Sequence, residues 1–166
     1  AGAGRARLVE ALGRALGGRV SGAFKDRICY SYDATDILSL PDAVAWPESL
    51  EDVRAAADVC ARAGAPLVPR GAGTGYTGGS IPVSGGLVVS FEKMDRLLSL
   101  DARRRVAVVE PGLVNDELRG RAEPCGLTYP PDPASLRVST IGGNVAEGAG
   151  GPRTVLYGTT RDYTVG

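Results

Sequence analysis

The sequence predicts an α+β protein of two lobes, a small βαβ lobe over about residues 1–83 and a larger lobe of mixed or antiparallel sheet over about 84–166. Three observations predict it. A strand-like run at 43–46, a capped amphipathic stretch from Leu50 and an apolar run at 66–69 follow one another in βαβ order. A glycine-rich segment starts directly where that second strand ends. Beyond it, apolar runs at 87–91, 97–101 and 106–109 are separated by turn residues, as in a sheet of short strands.

Each element has its own local reason. Residues 4–17 place Leu8, Leu12 and Leu16 on one helical face with arginines between them, and Gly17 and Gly18 close the helix. The polar stretch 24–42 holds Tyr30, Tyr32, Asp33 and Asp36 and reads as loop, with no chemistry assigned to it. Ser49 followed by Asp52 is close to a capping box, so a helix starts near Leu50; Val53, Ala56, Ala57 and Cys60 form its apolar face and Gly64 its left-handed stop. Past the 106–109 strand and the Pro111-Gly112 break, Asn115 or Asp116 caps a helix carrying Leu118 and Ala122, and 127–129 leads extended into a proline-rich segment. Arg103, Arg104 and Arg105 read as a solvated turn.

The chain is organised around residues 66–82, where Arg70 is followed by five glycines between Gly71 and Gly79. Glycine reaches positive φ without steric cost and carries no Cβ, so backbone N–H groups can converge on an anion and a bulky ligand can approach the chain. Glycines alone also suit a flexible linker. The abrupt join of Arg-Gly-Ala-Gly-Thr-Gly to an apolar strand favours a phosphate or pyrophosphate site. No Lys-Ser/Thr pair follows, which excludes a Walker loop. Gly73-Thr74-Gly75-Tyr76-Thr77-Gly78 does fit G-x-G-x-x-G, with Glu92 and Asp95 near the place of a ribose-binding acid. That reading requires a helix opening inside the motif, and Gly78, Gly79, Pro82, Gly85 and Gly86 oppose one, so the Rossmann fold is rejected.

Composition removes several classes of function. Nineteen basic and nineteen acidic side chains give a net charge of 0, leaving no basic field for nucleic acid or an anionic membrane. Cys29, Cys60 and Cys125 are widely spaced, fitting reduced thiols better than a disulfide framework or a zinc site, and no metal site is assigned. No apolar run approaches the length of a membrane span, and no signal peptide is read at the start. The sequence contains no histidine, so a histidine base, a Ser-His-Asp triad and a histidine-ligated metal are all excluded within it. No catalytic residue is assigned, and redox chemistry must come from a cofactor.

A second segment has the stiffness of a ligand wall. Pro130, Pro131 and Pro133 fix φ and hold the chain extended or in turns, presenting Asp132 and Ser135 at set points. Thr140 offers a hydroxyl, Gly142 and Gly143 permit close approach, and Asn144 carries both donor and acceptor. A rigid surface loop with a glycine bulge is the plainer reading of the same residues.

Taken together, Pro69-Arg70-Gly71-Ala72-Gly73-Thr74-Gly75 with Thr77-Gly78-Gly79, and Tyr129-Pro130-Pro131-Asp132-Pro133-Ala134-Ser135 with Ser139-Thr140-Ile141-Gly142-Gly143-Asn144-Val145-Ala146, resemble the two flavin signatures of FAD-linked oxidases of the vanillyl-alcohol oxidase type. The similarity is greatest to the glycolate oxidase FAD subunit and D-lactate dehydrogenases, and covers roughly 28–166. It implies a two-lobed FAD-binding domain of that type. Pro69, Arg70, Gly71, Ala72, Gly73, Thr74, Gly75, Thr77 and Gly78 are then expected at the pyrophosphate. Pro131, Asp132, Ser135, Thr140, Gly142, Gly143, Asn144 and Ala146 are expected along the rest of the FAD.

Some members attach FAD through a histidine after Arg-Gly-x-Gly, where this sequence has Thr74, so binding is expected to be non-covalent. Members are also longer and carry a substrate domain, so the sequence reads as an N-terminal part of a 2-hydroxy-acid dehydrogenase or oxidase, incomplete at its C-terminus and inactive by itself. The resemblance further implies a small 2-hydroxy-acid substrate, partner subunits, and a cytoplasmic place that is at most peripheral to the inner membrane through those partners. The alternative is a non-catalytic flavin- or nicotinamide-nucleotide-binding accessory module.

Overall fold

The structure, a computed structural model, describes residues 2–166 and divides into two units, Ala1–Lys93 and Met94–Gly166. In the first, helix α1 (Gly2–Leu16) buries Leu8, Leu12 and Leu16, the face its leucine spacing predicts. Gly17 at φ 59° ends it. A two-residue strand β1 (Val20–Ser21) follows, then α2 (Phe24–Cys29), a short helix inside the stretch read as loop. Arg27 on α2 explains the difference, since its buried side chain donates from Nε to the Pro41 carbonyl and anchors the turn through tertiary contact.

Strand β2 (Ala43–Ala45), helix α3 (Leu50–Ala63) and strand β3 (Leu67–Arg70) form the predicted βαβ unit. Ser49 Oγ caps α3 by accepting from Asp52 N at 3.2 Å, and Gly64 closes it at φ 60°. Its buried face is Ala56, Val59 and Cys60, whereas Ala57, read as apolar-facing, is exposed. Val59 takes the buried place expected of Ala57, while Val53, Ala56 and Cys60 keep theirs on or beside the packed face.

Strand β4 (Leu87–Ser90) corrects the lobe boundary read at 83–84. It lies between β2 and β3 and is parallel to both, giving the order β1-β2-β4-β3 with β1 antiparallel to β2. All four of its residues are buried, and an apolar run buried on both faces belongs at the centre of a parallel sheet. The first unit is therefore the longer of the two.

The second unit begins with the antiparallel hairpin β5 (Leu97–Asp101) and β6 (Val106–Val109). Its turn holds Arg103 and Arg104 in solvent and Arg105 at φ 58°. Glu110, almost fully buried, accepts from Arg96 N at 2.9 Å, Nε at 3.0 Å and Nη2 at 2.7 Å. Helix α4 (Asn115–Ala122) buries Leu118 and Ala122 as predicted, but neither Asn115 nor Asp116 caps it. The backbone N–H groups of those two residues donate to the Ser139 and Leu136 carbonyls, so a segment about twenty residues later in the chain satisfies the helix end that a side chain was expected to cap. Residues 127–129 form no strand.

Where a glycine bulge was the plain reading, helix α5 (Ile141–Glu147) forms instead. Thr140 caps it by accepting from Gly143 N, and Gly148 ends it at φ 61°. Gly142 permits this packing, because a Cβ there would lie 2.6 Å from Pro111 Cβ. A four-residue helix α6 (Thr154–Tyr157) and a 3-10 turn over Thr160–Tyr163 complete the unit.

Candidate functional site

The glycine loop leaves the C-terminal end of β3, the edge at which parallel α/β sheets bind ligands. Residues 71–80 fold as bends and turns with no helix, so the structure supplies none of the helix that a dinucleotide crossover requires. Gly73 and Gly78 stand at φ 69° and 74°, a region closed to most side chains. Gly71, Gly73, Thr74, Gly75 and Gly78 are half-buried, while Pro69, Ala72 and Thr77 face solvent.

Arg70 lies under this loop. Its side chain is only 7% exposed, and its Nη1 is buried with no hydrogen-bond partner. The guanidinium packs against Gly73 so closely that a Cβ there would come within 2.7 Å of Cζ. Burial pulls the Arg70 group below its ordinary value, opposed first by the nearby Asp33 charge. Leaving a buried charged donor unmatched is costly, and an anion is the chemical group that would match it.

The stretch 30–39, to which the sequence reading gave no role, braces the loop. Asp33 Oδ2 accepts from Ser80 Oγ at 3.3 Å, Ser39 Oγ donates to the Pro82 carbonyl at 2.8 Å, and Asp33 Oδ1 takes the Thr35 N–H at 2.8 Å. Burial works to raise the Asp33 carboxyl, yet Thr35, Ser80 and Arg70 together hold it below its usual range. It stays an anion beside the arginine. The grouping of Tyr30, Tyr32, Asp33 and Asp36 in a segment short of regular structure was the available signal for this role.

In the second unit, the proline-rich segment and α5 present a different surface. Thr140 and Asn144 are buried, Ser135, Gly142 and Gly143 are half-buried, Pro131 is buried and Ala146 is exposed. Asn144 Nδ2, Ser139 Oγ and both amide atoms of Asn115 are buried without partners. Asn115 N donates to the Ser139 carbonyl at 2.9 Å, which brings those two residues together, and neither was given a cofactor-binding role from the sequence. Asp132 is engaged elsewhere, accepting from Arg153 N at 3.1 Å and pairing with Arg153 Nε at 3.3 Å. It braces residues 151–153.

These donor sets fit FAD. A diphosphate matches the unpaired guanidinium and the glycine bends, while ribityl hydroxyls and a flavin ring edge suit amides and hydroxyls that lack partners. Two shallow surface grooves, of about 500 Å³ between α1 and α3 and about 440 Å³ beside α4, are lined by none of these residues. Among the described residues no helix is long and apolar enough to cross a membrane.

Comparison with known proteins identifies the family. A family model described as an FAD binding domain matches residues 41–166, and the chain belongs to that family. It is 44% identical over 141 residues to the glycolate oxidase subunit GlcD of Bacillus subtilis (strain 168), an alignment covering 84% of this chain and 30% of that protein. It is 41% identical over 123 residues to the D-lactate dehydrogenase of Anaerostipes hadrus, covering 74% of this chain and 26% of that protein. Among solved structures, alkyldihydroxyacetonephosphate synthase superposes with a TM-score of 0.84 at 23% identity, over 96% of this chain and 32% of that one. The fold is thus that of vanillyl-alcohol-oxidase-type FAD domains, and its cofactor is FAD. The chain spans about a third or less of the length of these relatives.

Proposed function

We propose that the chain is the flavin-binding part of an FAD-dependent oxidoreductase acting on a small 2-hydroxy acid of the glycolate or D-lactate kind. In this reading Arg70 and the bends at 71–78, with Pro69 at the strand end, hold the FAD pyrophosphate, and the cytoplasm is its place of work. Thr140, Gly142, Gly143 and Asn144, with Pro131, Ser135 and Ala146, meet other parts of the cofactor. Asp132 acts on it indirectly, by fixing 151–153. When bound, FAD supplies the hydride acceptor. What these residues supply is binding: a fixed charge for the phosphates, backbone bends that admit them closely, and amide and hydroxyl donors for the polar edge.

The observation that carries the reading is the buried, unpartnered Nη1 of Arg70 beneath a helix-free glycine loop. Names of the relatives support the substrate class. Titration of the protein with FAD, followed by flavin fluorescence, tests the site. A hydrogen bond to a charged group contributes about 1.5–3 kcal/mol, so Arg70→Met is expected to weaken FAD roughly tenfold or more while riboflavin, which lacks phosphate, binds equally to both. Equal FAD affinity in parent and variant would overturn the pyrophosphate assignment. For the substrate class, the full-length protein is assayed on glycolate and D-lactate with an artificial acceptor, and inactivity on both overturns it.

A further inference from the structure

The aromatic side chain beneath Arg70 has a part to play that follows from its surroundings. Arg70 Cζ lies 5.7 Å from the centroid of the Tyr30 ring, within the range at which a guanidinium is held by a ring's negative face. The ring itself is fixed from three sides. Its hydroxyl accepts from Trp46 Nε1 at 2.6 Å and donates to Glu92 Oε2 at 3.0 Å, and its edge meets the Trp46 ring with centroids 5.8 Å apart. Ser90, the last residue of β4, donates to the same Glu92 oxygen at 3.3 Å. Trp46 follows β2 directly, so the platform is built on the end of the parallel sheet.

Arg70 needs such a platform. A guanidinium on a long side chain loses much rotamer freedom when fixed, and one terminal nitrogen of Arg70 has no protein partner to fix it. Gly73 bounds it on one side and the Tyr30 ring on another. Asp33 supplies attraction but spends its oxygens on Thr35 and Ser80.

We infer that Tyr30 is a positioning residue for phosphate binding: its ring face holds the Arg70 guanidinium under the glycine loop, so that the unpartnered Nη1 is aimed and ready before the diphosphate arrives. This rests on the proposed role of Arg70. A neutral aliphatic side chain in its place would leave the cation free to swing, and affinity for the phosphate would fall although the phosphate never touches residue 30.

The test separates the ring face from the hydroxyl and from bulk. Tyr30→Phe keeps the face and loses both hydroxyl hydrogen bonds; its FAD affinity is expected within about threefold of the parent, with a lower melting temperature. Tyr30→Leu is expected to weaken FAD about tenfold, and to have no further effect in the Arg70→Met background, because coupled residues give non-additive losses. Should Tyr30→Leu fail to fold, position 30 is filled instead with phenylalanine bearing one, two and three fluorines. Fluorine drains the ring face while nearly preserving size, so FAD affinity is expected to fall stepwise along the series and riboflavin affinity to stay level.

A flat fluorine series, equal losses in Tyr30→Phe and Tyr30→Leu, or an undiminished loss from Tyr30→Leu in the Arg70→Met background would each overturn the inference. If Arg70→Met itself leaves FAD binding unchanged, the pyrophosphate assignment fails. If Arg70→Met weakens FAD and the ring series is flat, only the role of Tyr30 fails.

Discussion

Gly73 shows how one hydrogen atom in place of a side chain decides what Arg70 can do. At φ 69° any L residue is strained by about 1–2 kcal/mol, and a Cβ would press on the guanidinium, the movable end of a long side chain. Gly73→Val is therefore expected to cost at most a few kcal/mol of stability while displacing the cation and weakening FAD more than tenfold; flavin titration beside thermal melting checks both, and unchanged affinity would contradict the cradle. Glu110 carries a different kind of residue-scale consequence. The Arg96 guanidinium hydrogen bond, with the Arg96 N–H, holds its carboxyl below the ordinary value of 4.5 against the opposing effect of burial. A carboxyl depressed in the folded state contributes stability that is present above its unfolded value and disappears as pH falls through the folded one. Glu110→Gln should accordingly lower stability at neutral pH and shallow its decline below about pH 4.5 by up to one proton. Urea unfolding at pH 7, 5 and 3 measures this, and an unchanged acid slope would refute it.

At the scale of elements, the parallel sheet depends on where backbone touches backbone. Gly86 stands at φ 82° just before β4, and a Cβ there would lie 2.9 Å from the Pro66 carbonyl carbon, with no flexible side chain to yield. Gly86→Ala is expected to destabilise the protein by about 2–4 kcal/mol, read as a fall in the urea midpoint, whereas Gly64→Ala meets nothing within 4 Å and costs only the strain of its left-handed cap. Helices α1 and α3 were legible in the sequence because leucine spacing, Ser49 and the closing glycines are local signals. The placement of β4 between β2 and β3 was not legible, since which strands pair depends on contacts far apart in the chain. Helix α5 was hidden by Gly142 and Gly143, poor helix formers; Gly142 is used here because Pro111 leaves no room for a side chain, while a Cβ at Gly143 would press only on the capping Thr140 hydroxyl, at 3.2 Å. The helix-free course of the glycine loop was legible, but its Tyr30 and Asp33 support was not, because a polar stretch shows no periodicity to mark which side chains converge.

On the scale of the whole molecule, the chain offers many ways to bind a flavin and few to bond with it or to do chemistry beside it. No histidine exists to attack the ring, and Thr74 occupies the place where the resemblance puts an attached histidine in some members. Of the three thiols, Cys60 is buried and pushed up by burial, away from the reactive thiolate. Cys29 is exposed with Sγ donating to the Lys25 carbonyl, and Cys125 is exposed in the 3-10 turn Glu123–Cys125, outside both signature segments. Acid precipitation of the flavin-loaded protein should therefore release all yellow colour to the supernatant, and colour kept in the pellet would reveal a covalent bond. The same inventory bears on turnover. Taking a proton from a 2-hydroxy acid needs a base tuned near the working pH, and the displaced carboxyls Asp33, Asp52, Glu110 and Asp162 are all displaced downward. The 166 residues by themselves, given FAD, glycolate or D-lactate and an artificial acceptor, are expected to show no turnover above free FAD. Steady turnover by them, abolished by Arg70→Met, would mean that the base lies within the chain after all.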